Sequence, residues 1–148
     1  MIPNWLYFKK QITTIDQFPE NTFGFIYKIS NVDTNKMYIG KKSLYHNKKH
    51  KLTKKQLDEQ PVTRGRKSTH EILHIESDWK TYYGSSKELA ADIKLLGIEK
   101  FRREIIYLAK GKKQLTYLEL KAQFEYDVLE ISSYNDNIAG KFFRKDLI

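Results

Sequence analysis

Two short apolar runs around a polar turn constrain this chain more than any other feature. They are FIYKIS at 25–30 and MYIG at 37–40, with NVDTN at 31–35 between them. Asn and Asp tolerate unusual backbone angles and bond their own main chain, so NVDTN is turn chemistry. The flanking runs read as the two strands of a β-hairpin. With residues 31–34 as the loop, Tyr27 stands opposite Tyr38 and both rings share a face. A slip of one residue would place them on opposite faces. The spacing leaves that register open, and it is equally met by an ordinary aromatic cross-strand pair worth under about 1 kcal/mol.

The remaining elements follow from pattern. Residues 1–22 read as an irregular N-terminal arm with Pro3 and Pro19 as breakers, pinned to the core by Trp5, Leu6 and Phe8. Within 41–67, TKKQLDEQ offers a turn or two of helix ended by Pro61, and the rest reads as loop. SSKELAADIKLLG reads as a helix, with Ser85 and Glu88 as a capping box and Gly97 as the stop. Leu89, Ile93 and Leu96 form its apolar stripe. Phe101–Leu108 reads as a third strand with Phe101, Ile105 and Tyr107 on one face. Residues 112–131 read as a second long helix carrying Leu115, Leu118, Ala122 and Leu129, and the chain closes in loop and short extended structure. The expected fold class is α/β (α+β): a small, mostly antiparallel three-stranded sheet flanked by helices, in one domain over 23–148 with a basic insert at 41–70.

A chain of 148 residues can bury roughly 70% of its unfolded surface and needs no staples. It has no cysteine, which excludes disulfides, thiolate metal sites and a cysteine nucleophile. A reducing, cytoplasmic compartment fits this composition. No apolar run approaches the roughly 18–20 residues of a membrane span, and the N-terminal stretch lacks the basic start and apolar core of a signal peptide. Lys and Arg number 27 against 18 Asp and Glu, for a net charge of +9. Such an excess points to a polyanion, nucleic acid before an acidic membrane surface. Ten basic residues and two acidic ones fall within 41–67, so the insert carries nearly the whole excess. Lys41, Lys42, Lys48, Lys49, Lys51, Arg64, Arg66 and Lys67 are its candidate nucleic-acid contacts.

The sequence FIY, ten residues, then YIG resembles the signature of the GIY-YIG nuclease superfamily, with Phe25 in place of its first glycine. GIEKFRREII at 97–106 is similar to that family's third-strand region, LTYLELKAQFEYDVL to its later helix, and SYNDNIAGK to its closing Tyr-Asn element. ESDWKTYYGSS at 76–86 resembles a phage-associated subgroup. The resemblance implies a DNA endonuclease dependent on Mg²⁺ or Mn²⁺, phage- or mobile-element-encoded and acting in a host cytoplasm. It implies Glu119 as the metal ligand, Tyr27 as general base or orienter of the attacking water, and Tyr38 on the phosphate or the water. The family arginine maps onto Arg66, then Arg64 or the Lys48 position, with Lys42 sharing the task. A family histidine maps onto His46 or His50. The closing asparagine maps onto Asn135, with Asn137 as the alternative. Specificity is then expected to be low, or to come from the insert, or from a dimer; oligomeric state stays open.

The residues support parts of this independently. Glu119 follows Leu115 by four and precedes Ala122 by three, so it borders the apolar stripe of its helix. An inward carboxylate is costly unless paired or on a metal; the plain alternative is a boundary glutamate reaching water or a lysine. A free phenol has a pKa near 10, so a tyrosine base needs nearby positive charge, which the insert would supply. Two other readings remain. One is a nucleic-acid-binding module on the same fold without cleavage. The other starts from HEILH at 70–74, an H-E-x-x-H pattern in which His70 and His74 on a helix would bind zinc with Glu71 as base. Trp79, Tyr82 and Tyr83 are expected as core or hinge contacts, with base stacking as the alternative.

Overall fold

A computed structural model describes residues 2–61, Gly65 and residues 68–147. The chain divides into two compact units, residues 1–44 with 78–148, and residues 45–77. The first is built on a five-stranded sheet: β1 (Trp5–Tyr7), β2 (Lys10–Ile12), β3 (Gly24–Asn31), β4 (Met37–Ser43) and, later in the chain, β7 (Phe101–Ala109), in the order β2-β1-β7-β3-β4. Only β1 and β7 run parallel. The second unit holds a two-stranded ribbon of β5 (Tyr45–Lys51) and β6 (His70–Glu76), with a short α1 (Lys54–Asp58) between them.

The α+β class stands, and the sheet has five strands rather than three. The two extra strands come from the supposed arm. Their residues are too few to show a period, and the register is set by tertiary pairing: Leu6 lies beside Glu104 and Tyr7 beside Ile105. The hairpin is as expected, with an Asn31 N–H to Lys36 carbonyl bond of 2.9 Å closing the turn. Strand β3, between β7 and β4, buries both faces. Phe25, Tyr27 and Ile29 face one core with Trp5, Trp79, Leu89, Phe101 and Ile105. Ile26 faces the other with Ile39, Leu115, Ala122 and Val128.

Helix α2 (Lys87–Leu96) lies on the first face and α3 (Lys112–Glu125) on the second. The cap of α2 is Ser86 rather than Ser85. Its hydroxyl accepts from the Leu89 N–H at 3.2 Å, and Glu88 pairs with Lys36 instead of reaching back. Gly97, at φ 96, stops the helix as expected. Leu96 is exposed, so Leu89 and Ile93 carry the packing. The register between β3 and β7 shifts between Ile26 and Tyr27. That bulge turns Tyr107 to the α3 side, away from Phe101 and Ile105. Helix α3 stops six residues before position 131, where Asp127 takes φ 50. The close of the chain forms β8 (Asn137–Ile138), β9 (Phe142–Phe143) and α4 (Arg144–Leu147).

The N-terminal segment is fastened by two groups. The Trp5 indole N–H donates to the Trp79 carbonyl at 2.7 Å. Arg103 is fully buried, its guanidinium 4.5 Å from the Trp5 ring centroid and 4.2 Å from that of Tyr83. It donates to the carbonyls of Pro3 (2.6 Å) and Tyr82 (2.9 Å). Burial lowers its pKa to about 10. Trp79 is likewise sealed in the core, which agrees with its expected packing role. Replacing Trp5 by alanine should therefore cost about 3–5 kcal/mol in urea unfolding. Phe8→Ser, at a site 82% exposed, should leave the midpoint almost unchanged.

Candidate active site

The hairpin register differs from a direct Tyr27–Tyr38 pairing. Tyr27 stands opposite Gly40, and Tyr38 opposite Ile29. The offset is two residues, so both rings still share a face. Their centroids lie 6.1 Å apart at an interplanar angle of 40°. Gly40 makes this possible: a Cβ there would sit 2.7 Å from Tyr27 Cζ and 3.1 Å from Tyr38 Cε1. Gly84 approaches Tyr38 from the other side at φ 83, and a Cβ on it would meet that ring at 2.9 Å. The two tyrosines thus occupy space that two missing side chains leave.

Tyr27 is 1% exposed. Burial pushes its pKa well above the usual phenol value, and Tyr38 and Tyr82 push in the same direction. The Tyr82 ring meets that of Tyr27 edge-on, with centroids 5.9 Å apart at 82°. The positive charge expected to lower this pKa does not prevail. Tyr38 is also raised, by burial first; a 3.0 Å bond to the Ser85 hydroxyl acts against that rise.

Glu119 lies midway along α3 with its side chain 21% exposed. Burial raises its carboxyl pKa, and Lys41 opposes the rise. The Lys41 ammonium is 4.0 Å away and bonds the Thr116 hydroxyl at 3.1 Å. The charge of Glu119 in turn raises both Tyr27 and Tyr38, which places the carboxylate within electrostatic reach of the phenols. Lys42, the next residue, points to the opposite face. Its ammonium sits 2.5 Å from Asp78 Oδ1 and 3.9 Å from the Tyr82 ring centroid.

Asn135 is buried, and its amide closes a two-bond ring with the backbone of Ile39. Oδ1 accepts from the Ile39 N–H at 2.9 Å, and Nδ2 donates to the Ile39 carbonyl at 2.9 Å. The same carbonyl accepts from Gln123 Nε2 at 3.3 Å. Asn135 is fixed in turn by Arg144, which donates to its carbonyl at 2.7 Å and to Ser133 Oγ at 2.8 Å. Asn137 lies in β8, where its side chain accepts from the Gly140 N–H.

Tyr27, Tyr38, Glu119, Asn135, Lys41 and Lys42 thus gather around residues 38–42 of β4. Lys48, Lys49 and Lys51, with His46 and His50, lie in the ribbon of the second unit. Arg64, Arg66 and Lys67 lie outside the described residues. HEILH is strand β6, not helix. His70 and His74 would be about 13 Å apart at ~3.4 Å per residue, too far to share one ion. Glu71 faces away from them and bonds His50 Nδ1 at 3.0 Å. Among the described residues no cluster of three or more acidic, histidine or cysteine side chains could hold a metal. Sequence reading left Tyr82, Gly84, Ser85 and Gln123 without a place at the site. The signal for three of them was present in YYGSS, where a glycine is flanked by aromatic and hydroxyl residues just ahead of a helix cap.

A family model described as "Putative endonuclease segE, GIY-YIG domain" matches residues 5–146. The chain belongs to the GIY-YIG nuclease superfamily. No curated protein and no solved structure matches it. The match takes in residues 5–22, which include β1 and β2. No helix among the described residues is long and apolar enough to cross a membrane.

The clamp on β4 makes a direct prediction. Asn135→Ala leaves the buried N–H and one partner of the carbonyl of Ile39 unsatisfied, which should cost about 1–3 kcal/mol. Native-state hydrogen exchange should show the Ile39 amide opening far more readily than amides in β7.

Proposed function

We propose that this chain is a metal-dependent DNA endonuclease that hydrolyses phosphodiester bonds around Tyr27, Tyr38 and Glu119. The observation that carries this reading is the meeting of both signature tyrosines over Gly40, with Glu119 in electrostatic reach, in a chain that matches the endonuclease family from Trp5 to Asp146. The donor set suits Mg²⁺ or Mn²⁺: one half-buried carboxylate supplies a hard oxygen ligand, and Mg²⁺ usually keeps several waters beside one or two carboxylates and substrate phosphates. Glu119 would hold the ion. Its raised pKa and loose ion pair with Lys41 leave it better served by a cation than by the protein alone. Bound there, the ion would act as Lewis acid on the phosphate and on the leaving oxygen.

The chain's own groups define the rest. Burial keeps the Tyr27 phenol protonated, and a neutral hydroxyl can still accept a hydrogen bond. It suits the role of orienting a water by accepting from it better than that of an ionised base. Tyr38, less buried and anchored by Ser85, is placed to donate to a phosphate oxygen. Lys42 adds positive charge, and Arg66 or Arg64 would supply the bidentate, permanently charged fork that suits phosphate. Asn135 acts through the backbone it holds, as a positioning residue. The basic insert would track neighbouring phosphates, with affinity falling about 0.9 log unit per log unit of salt for each duplex phosphate contacted. The resemblance of ESDWKTYYGSS to phage members supports a phage or mobile-element enzyme acting in a host cytoplasm.

Supercoiled-plasmid cleavage tests the reading. Wild type should nick with Mg²⁺ or Mn²⁺ and not in EDTA. Glu119→Gln should lose more than the ~100-fold that outer partners of a metal site cost. Retardation of DNA without metal-dependent cutting by wild type would establish the binding module instead. The pH profile gives a second check. An acid whose folded pKa is raised holds its proton longer as pH climbs, and cation binding needs it ionised. Cleavage should rise with pH across a range above the ordinary carboxylate one, and the midpoint should move down as Mg²⁺ is increased. By the same linkage, apo wild type should lose thermal stability relative to Glu119→Gln as pH rises through that range.

A further inference from the structure

All seven residues of β5 are exposed, those on one face of the ribbon as much as those on the other. A two-stranded ribbon alone is marginal in water, and in β6 only Glu71 and Ile75 are half-buried, both on the His46–His50 face. The face carrying Asn47, Lys49, Ile72 and His74 is exposed throughout. Its faces are also chemically unequal. On one, Asn47 lies directly across from His74, and Lys49 across from Ile72, which is 61% exposed. On the other, His50 is engaged by Glu71, and Lys48 stands beside Leu73. Lys48 and Lys49 have no ion pair among the described residues.

We propose that the β5–β6 ribbon enters the major groove of duplex DNA with the Asn47–His74 face on the base edges. The dimensions fit. Strands lie about 4.8 Å apart and seven residues run roughly 23 Å, while the major groove is about 12 Å wide and admits a two-stranded ribbon; the minor groove, at about 6 Å, does not. The side chains fit as well. An asparagine amide matches the donor and acceptor of adenine, a lysine or histidine N–H matches the acceptors of guanine, and an exposed isoleucine meets a thymine methyl. Lys48, on the far side, would reach phosphate. The inference shares with the proposed function only the identity of the polyanion. It concerns recognition and does not depend on cleavage.

The test uses the full chain in EDTA, where binding is read without cutting. Sequences retained from a random duplex pool give the preference, and gel retardation gives the affinity. Asn47→Ala with His74→Ala should flatten that preference at least tenfold while affinity for unselected duplex changes less than threefold. Lys48→Ala should weaken all sequences alike and lower the salt slope by about 1. Guanine N7 methylation of a retained duplex should weaken binding at least tenfold, and distamycin in the minor groove should not compete. These positions are exposed, so unchanged melting of the variants serves as the folding control. Competition by distamycin, indifference to N7 methylation, preference for an RNA duplex, absence of any sequence preference, or a preference that survives the double substitution would each overturn the proposal. Selective, methylation-sensitive binding by a protein that never cuts with Mg²⁺ or Mn²⁺ would uphold it while overturning the nuclease reading.

Discussion

The hydrogen-bond ring between Asn135 and Ile39 is the contact on which the site rests. Strand β4 is the last of its sheet, and an edge strand leaves main-chain groups unpaired. Here a side-chain amide takes the place of a neighbouring strand and satisfies the N–H and C=O of one residue at once. The next bonds along the edge come from the same segment, with the Tyr134 N–H on the Met37 carbonyl at 2.8 Å. Ile39 lies between Tyr38 and Gly40, so holding its peptide groups holds the ring on one side and the gap on the other. Arg144 then ties the Asn135 carbonyl to residues 128–133. The close of the chain is thereby structural support for a hairpin about a hundred residues earlier.

Electrostatics at the site work against its own charges. Burial raises the phenols of Tyr27 and Tyr38 and the carboxyl of Glu119, so the charged form of each is penalised. Lys41 only partly offsets this for Glu119. A group whose charged form is penalised by desolvation responds strongly to an arriving ion, because the new charge acts in surroundings that screen it poorly. The arrangement suits a centre completed by its ligands.

What could be read in the sequence was whatever local pattern controls. The hairpin, the inward lean of Glu119 and the Gly97 stop follow from turn chemistry, helical spacing and the freedom of glycine at positive φ, and all three hold. The failures are tertiary. Three-residue strands such as Trp5–Tyr7 carry no period to recognise. The β3–β7 bulge flips Tyr107 without a local mark. The two-residue hairpin offset depends on Gly40 accepting two rings, which pairwise spacing does not express. By pattern the capping box favours Ser85, but Ser85 bonds Tyr38, forty-seven residues away, and Ser86 becomes the cap. The ribbon was hidden because its lysines and histidines suppress the apolar alternation by which strands are usually recognised.

Arg103 joins the N-terminal segment, the sheet and Tyr82 through carbonyl acceptors and aromatic faces, with no carboxylate in the arrangement. Such a joint has nothing to protonate across the range in which acids and histidines ionise, and with a pKa of about 10 the guanidinium surrenders its charge only in alkali. The frame that packs Tyr82 against Tyr27 is therefore blind to acidity, while Glu119, on the α3 side, responds to it. A rigid frame and a titrating centre can then be altered independently, one by changing aromatic packing and the other by changing a single carboxyl group.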